Sequence, residues 1–340
     1  MKKASQPGIS VIICAYTQQR WKNLQEVVAS VREQRLAAGE IVVVVDHNQE
    51  LFERIERELP EVIVVENTEK RGLSGARNSG VARARYSIIA FLDDDVTAGP
   101  DWLSKFWEGF RDPSVLGIGG GVHPSWGGAR WFPEEFLWVI GCSYRGMPQK
   151  AGSIRNPIGA NMAFRREVFE EIGGFRSEIG RRGNWPGGCE ETELCIRAHQ
   201  RWPERKYLYI PEASVEHHIA VERITWGYFC RRCYYEGYSK AYIRKYVGIR
   251  EGLSSERSYT FKVLPRAIVR EIAESVLRRN ISGVARSLTI VLGLAMTATG
   301  YLVGEVCLRG GRDTQGKRRV ERCVLMEKRE ILARGQIPHA

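Results

Sequence analysis

Ile88-Ile89-Ala90-Phe91-Leu92-Asp93-Asp94-Asp95 is the stretch on which the fold turns. A short apolar run of this kind suits a strand buried on both faces of a sheet, and three carboxylates follow it with no spacer. Working outward, residues 9–14 (ISVIIC), 41–45 (IVVVV) and 62–65 have the same character. Between them, residues 21–34, 51–59 and 75–84 read as helices; in the first, Leu24, Val27, Val28 and Val31 recur at helical spacing. Alternating strands and helices predict an α/β fold with a doubly wound, mostly parallel sheet. Ligands of such sheets gather at the carboxyl ends of the strands. Cys14-Ala15-Tyr16-Thr17, Asp46 and Asp93-Asp94-Asp95 all fall there.

The acidic triplet calls for a cation, because like charges held this close repel. Mg²⁺ or Mn²⁺, bound by one or two carboxylates and by substrate phosphates, fits that need. Downstream, Gly187-Gly188-Cys189-Glu190-Glu191-Thr192-Glu193 places adjacent glutamates at a helix start. The helix dipole there is expected to keep a base ionised near neutral pH. Gly72-Leu73-Ser74-Gly75-Ala76-Arg77-Asn78 is a glycine-containing loop entering a helix, a local form that can receive a phosphate or pack on a base. Residues 117–218 read as less regular and carry the glycine run Gly119-Gly120-Gly121.

These segments together resemble family 2 glycosyltransferases of the GT-A nucleotide-diphospho-sugar transferase fold. The resemblance rests on the residue 10–16 run, Val43-Val44-Val45-Asp46, the Gly72–Asn78 loop, Phe91-Leu92-Asp93-Asp94-Asp95 and Gly188-Cys189-Glu190-Glu191-Thr192-Glu193-Leu194, in the family's order over about residues 8–220. Residues 131–141 (WFPEEFLWVIG) and 156–165 (NPIGANMAFR) are similar to the glucosyl-dolichyl-phosphate glucuronosyltransferase branch. The resemblance implies a UDP-sugar donor and an Mg²⁺ or Mn²⁺ ion. It implies nucleotide contacts from Ala15, Tyr16, Thr17, Asp46, Gly72, Arg77, Asp93, Asp94 and Asn161, and metal contacts from Asp93, Asp95 and His217. Glu191 occupies the general-base position, with Glu190 before it. The sequence departs from the commoner pattern where His47-Asn48 follows Asp46 in place of another acid, and where Glu191 replaces aspartate. Arg155 or Arg165 is expected to meet a donor carboxylate or a lipid diphosphate.

A net charge of +11, from 51 Lys and Arg against 40 Asp and Glu, suits an anionic partner. Nucleic acid is not expected, since no zinc-finger or RNP motif is present. Eight cysteines and an N-terminus with no apolar signal core point to a reducing compartment, the cytoplasm or its membrane face. Residues 287–304 hold no charged side chain, with Arg286 before and Arg309 after. This predicts a peripheral, re-entrant or single-span attachment to the membrane. The expected division is a catalytic unit at 1–220 (nucleotide half 1–115, acceptor and base half 116–220), a helical membrane-associating region at 221–310 and a basic tail at 311–340. The expected function is inverting transfer of a sugar, glucuronic acid among the candidates, from a UDP-sugar to a hydroxyl of a lipid-linked or glycan acceptor. A polyprenyl-phosphate acceptor is the first alternative, and a non-catalytic basic binding protein the second.

Overall fold

The computed structural model describes residues 6–126, 131–181, 187–248, 256 and 258–310. The expected basic tail at 311–340 lies outside the described residues. Strands β1 (Gln6–Ala15), β2 (Glu40–Val45), β3 (Ile63–Glu66) and β4 (Tyr86–Asp93) run parallel in the order 3-2-1-4. Helices α1 (Trp21–Arg32), α2 (Gln49–Glu58) and α3 (Leu73–Arg83) provide the returns that parallel strands need.

Beyond β4 the sheet changes character. β8 (Asn161–Arg165) lies antiparallel between β4 and β6 (Val115–Ser125). β6 pairs in parallel with β9 (Lys206–His218), and β5 (Val96–Ala98) and β7 (Gly152–Ile154) flank β9 antiparallel. The expected mostly parallel sheet is therefore corrected to a mixed one. The described chain between β6 and β8 holds no α-helix to serve as a crossover, and antiparallel neighbours require none.

Both faces of the sheet are covered. Val11, Ile13, Val43 and Val45 pack towards α1, α2 and α4 (Trp102–Gly109). Ile12, Val42, Val44 and Phe91 pack on the other side, with α3, α5 (Arg166–Ile172) and α6 (Glu190–Arg201). This in-out alternation is the period-two geometry of strands. The Gly119–Gly121 run, expected in a less regular segment, lies inside β6. A Cβ at Gly120 would stand 1.9 Å from the Ala213 carbonyl oxygen, so only glycine lets β6 approach β9 here.

The C-terminal helices α7 (Trp226–Val247), α8 (Leu264–Arg278) and α9 (Ser282–Gly310) continue the same body, since Phe229, Cys233, Leu264, Ala267 and Ile290 join the main core. α9 is long and apolar enough to cross a bilayer, and 22% of its most apolar stretch is buried inside the protein. Its contact with α7 is a seam of small residues. A Cβ at Gly300 would stand 1.9 Å from the Tyr234 carbonyl oxygen, and one at Gly237 would stand 1.9 Å from that of Thr297. Along α8, α9 and the turn between them, Val269, Val276, Leu277, Ile281, Leu288, Val291, Leu302 and Val306 stay exposed.

Gly300→Val is expected to force α9 off α7 and lower the melting temperature by roughly 3–8 °C, on the scale of 1–3 kcal/mol of overpacking. Thermal unfolding of the detergent-solubilised chain reads this out, and an unchanged melting temperature would mean the two helices are not apposed in solution.

Candidate active site

Strand order carries the acidic triplet to its partners. β4 ends at Asp93, the chain turns through Asp94 and Asp95, and β5 then pairs with β9 so that Val96 sits opposite His217. Asp95 and His217, 122 positions apart in sequence, thereby become neighbours: Asp95 Oδ1 lies 3.2 Å from His217 Nε2. That oxygen is buried and has no hydrogen bond of normal geometry. Cys142 Sγ lies 3.6 Å from the other ring nitrogen of His217.

Two arginines that the motifs did not announce balance this cluster. Arg20, in the 3-10 turn after β1, contacts Asp94 Oδ1 at 2.5 Å and Asp95 Oδ2 at 3.1 Å. Arg223, in the 3-10 turn after β9, reaches Asp95 Oδ2 at 3.3 Å. Burial pushes the Asp94 carboxyl up to about 7, against the pull of Arg20. Burial also opposes the charge of Asp95, but His217, Arg20 and Arg223 overcome it and hold that carboxyl well below the usual range. The only sequence sign of these arginines was their place just past a strand's carboxyl end.

The second acidic group stands at the start of α6. Arg77, buried on α3, donates to Glu190 Oε1 at 2.9 Å and to the Gly159 carbonyl at 3.0 Å, and approaches Asp93 Oδ1 at 3.5 Å. Expected to hold the nucleotide, Arg77 instead spans the two acidic clusters. Glu190 Oε2 is buried without a hydrogen-bond partner. For Glu191, burial and the neighbouring Glu190 push the carboxyl up to about 8. This corrects the expectation that the helix dipole keeps the base ionised: an end-of-helix field of roughly 0.3–1 kcal/mol loses to desolvation of a carboxylate. Glu193 anchors the helix through Arg176 at 2.7 Å and Arg197 at 2.9 Å.

Other expected residues divide by what they touch. Asp46 accepts from Asn67 Nδ2 at 2.6 Å and from the Gly72 amide at 3.0 Å, which fastens β2 to the loop before α3. Gly72 has φ +131, a conformation that favours glycine. Asn48 caps α2 and donates to the Tyr16 carbonyl, so the departure after Asp46 has a structural use. Ala15 is buried and presents only its carbonyl, which accepts from the Asp46 amide. Thr17 caps the 3-10 turn that bears Arg20. Tyr16 is 52% exposed, with the Arg20 guanidinium 5.6 Å from its ring centre.

Asn161 is fully buried and gives its amide to the Gly121 and Ala213 carbonyls and its oxygen to the Trp102 indole. The donor contact expected of it has no support in this geometry, which makes it a bracket between β6, β8 and β9. Arg165 is spent on the carbonyls of Phe110, Asp112 and Val115, and Arg155 on Glu256.

Among the described residues, no three His, Cys, Asp or Glu side chains converge as a metal cage. The Asp95–His217 pair still suits a divalent ion. Asp95 Oδ1 is unpartnered, and His217 Nε2 would exchange its 3.3 Å contact with Arg223 Nη1 for the ion; the two are a sparse protein donor set of the kind that a diphosphate and water complete. Asp93, expected beside them, is drawn towards Arg77.

A strand-end cleft with two facing acidic clusters, in a mixed sheet covered on both sides, defines the class as a GT-A-like nucleotide-sugar transferase fold. The mannosyltransferase PcManGT from Pyrobaculum calidifontis, solved with GDP-Man and Mn2+, shares this fold with a TM-score of 0.55 at 16% identity, over 88% of this chain and 91% of that one. The family model described as Glycosyl transferase family 2 matches residues 10–173. The glucosyl-dolichyl phosphate glucuronosyltransferase of Haloferax volcanii is 34% identical over 68% of this chain and 76% of its own length. The succinoglycan biosynthesis protein ExoM of Rhizobium meliloti is 26% identical over 58% and 62%. The chain belongs to glycosyltransferase family 2 and is a glycosyltransferase.

Because Glu191 binds its proton more tightly when folded, its contribution favours the folded state at low pH and fades as pH rises from about 4.5 to about 8. Glu191→Gln is therefore expected to raise the melting temperature at pH 8 by roughly 3 °C or more and to leave it unchanged near pH 4.5. A difference that is the same at both pH values would contradict the burial of this carboxyl.

Proposed function

We propose that this chain transfers a hexose or hexuronic acid from a UDP-sugar to a sugar hydroxyl of a lipid-linked glycan, by a single inverting displacement. The observation that carries the reading is the pairing of two acidic clusters in one cleft, with Arg77 touching Asp93 on one side and Glu190 on the other. In this reading the two clusters serve different partners. The Asp93–Asp95 end receives the donor, with Tyr16 against its base, and the α6 end receives the acceptor. Asp95 and His217 would hold a divalent ion, which when bound supplies positive charge to the departing diphosphate.

Glu191 is the proposed base. Its carboxylate takes the proton of the acceptor hydroxyl as that oxygen bonds to the anomeric carbon from the face opposite the diphosphate. The bond from the anomeric carbon to the phosphate oxygen breaks, and the electron pair leaves on that oxygen. A carboxyl pushed up to about 8 is a stronger base than an ordinary glutamate and stands close to working pH. An ionised lipid phosphate would need no such base, so Glu191 favours the hydroxyl acceptor over the polyprenyl-phosphate alternative.

The lipid-linked acceptor is supported by the apolar face of α8 and α9, and by the name of the Haloferax volcanii relative. We place the catalytic unit at 1–220 and the membrane-contacting helices at 221–310. These helices would lie on the cytoplasmic face, with Val276, Leu277 and Ile281 seated in the interfacial region and the exposed Arg279 among the headgroups.

Glu191→Gln tests the chemistry. Transfer is expected to fall by about 10²–10⁴-fold, while UDP binding with Mn²⁺, read by thermal shift, persists. In the wild type, kcat/KM should climb with pH towards about 8. Full activity in the Gln variant would remove the base assignment, and a wild type that no UDP-sugar stabilises even with Mn²⁺ would remove the donor assignment. For the membrane surface, the triple variant Val276→Glu, Leu277→Glu and Ile281→Glu is expected to release the chain from vesicles containing anionic lipid in a flotation assay. Undiminished flotation would refute attachment through this face.

A further inference from the structure

Among the described residues the site holds four arginines, and three already have carboxylate partners. Arg20 pairs with Asp94 and Asp95, Arg77 with Glu190, and Arg223 with Asp95. The fourth, Arg181, differs. Among the described residues its side chain makes no hydrogen bond and has no carboxylate within ion-pair distance.

The backbone nevertheless fixes its position at the centre of the site. The Leu73 amide at the start of α3 donates to the Arg181 carbonyl at 3.1 Å, and Ser74 Oγ donates to the Ile179 carbonyl at 2.7 Å. Between these anchors Gly180 takes φ +98, and a Cβ there would stand 3.1 Å from the unpartnered Oε2 of Glu190. Arg181 thus leaves the chain directly beside Glu190. Burial opposes its charge, but the field of Tyr228, Asp93, Glu190 and Asp95 prevails and holds the guanidinium above the ordinary arginine range. The side chain faces both acidic clusters and touches neither. A cation in such a place is costly to desolvate unless an anion completes its surroundings.

We propose that Arg181 receives the diphosphate of the nucleotide donor, its planar fork taking up phosphate oxygens that no other described arginine of the cleft is free to bind. The shape of a guanidinium suits two such oxygens at once, and charge released onto the diphosphate during transfer strengthens the contact. With Arg155 and Arg165 committed to Glu256 and to backbone carbonyls, Arg181 takes the anion-binding part expected of them.

This inference rests on the donor reading above, and calorimetric titration of the full chain separates the two. With Mn²⁺ present, Arg181→Gln is expected to weaken UDP binding about ten-fold or more while uridine binding stays unchanged; the loss should persist in EDTA. Arg181→Lys should recover part of the affinity, because it restores charge without the fork. UDP-glucose and UDP-glucuronate should lose affinity equally. UDP bound as tightly by R181Q as by the wild type, or uridine weakened equally, overturns the proposal. So does a loss confined to UDP-glucuronate, which would assign Arg181 to a donor carboxylate. If R181Q does not fold, R181K decides alone, and unchanged UDP affinity in it overturns the proposal. A wild type that binds neither UDP nor GDP removes the donor reading instead.

Discussion

The guanidinium of Arg77 is closed off from solvent between three elements that the chain reaches at widely separated points: Asp93 at the end of β4, the Gly159 carbonyl before β8 and Glu190 at the start of α6. A charge in such a place is tolerated only with partners on every side, and removing one partner of a buried pair costs about 3–5 kcal/mol. The same requirement fixes distance. As long as Arg77 touches both clusters, the end of β4 and the start of α6 cannot drift apart. The fold then follows from what Arg77 needs. α3 must lie across β1 and β2 to present it, and Gly80 allows this because a Cβ there would stand 2.6 Å from Ile12.

The charge pattern around that bridge gives the two ends different characters. At the β4 end, arginines from the turns after β1 and β9 crowd the aspartates, and Asp95 stays ionised. At the α6 end, among the described residues, only Arg77 makes ionic contact with Glu190, and Glu191 rises towards neutrality. Two carboxylate groups in one cleft are thus separated in proton affinity by their surroundings alone. In the proposed reading this separation, between Asp95 and Glu191, would let one group act on a cation and a diphosphate while the other exchanges a proton.

Much of this was legible in sequence because it is local. Strands β1, β2 and β4 announce themselves as apolar runs, and each expected polar cluster does stand at a strand end. The mixed half of the sheet was not legible, since β8 and β9 carry no period that distinguishes parallel from antiparallel pairing. The Gly119–Gly121 run shows the difficulty: glycine usually weakens a strand, yet here it is required by the approach of Ala213 on β9. For Asn161 a motif gives no sign of burial; its amide nitrogen is consumed by the Gly121 and Ala213 carbonyls and its oxygen by the Trp102 indole. Arg20, Arg181 and Arg223 escaped notice for a related reason. They belong to no pattern, and their meaning comes from carboxylates brought near by the fold.

The C-terminal helices follow from the same constraint. α7 supplies Phe229 and Cys233 to the main core, and through Gly188 and Ser239 it also steadies the turn before the base. α9 closes against α7 along glycines, and no other described residue buries Leu288, Val291, Leu302 and Val306 on its remaining circumference. α7 braces the turn before Glu190 and Glu191, and α9, packed on α7, exposes the apolar side chains; in the proposed reading this pair links the acceptor end of the site to a non-aqueous surface. A long-chain lipid carrying a sugar has the same two-sided character, with an apolar tail to settle against α8 and α9 and a hydroxyl to meet Glu191. One set of packed helices would then serve both needs of the proposed reaction, because it would hold the proposed base, Glu191, at a fixed height above the surface from which a lipid-linked acceptor would arrive.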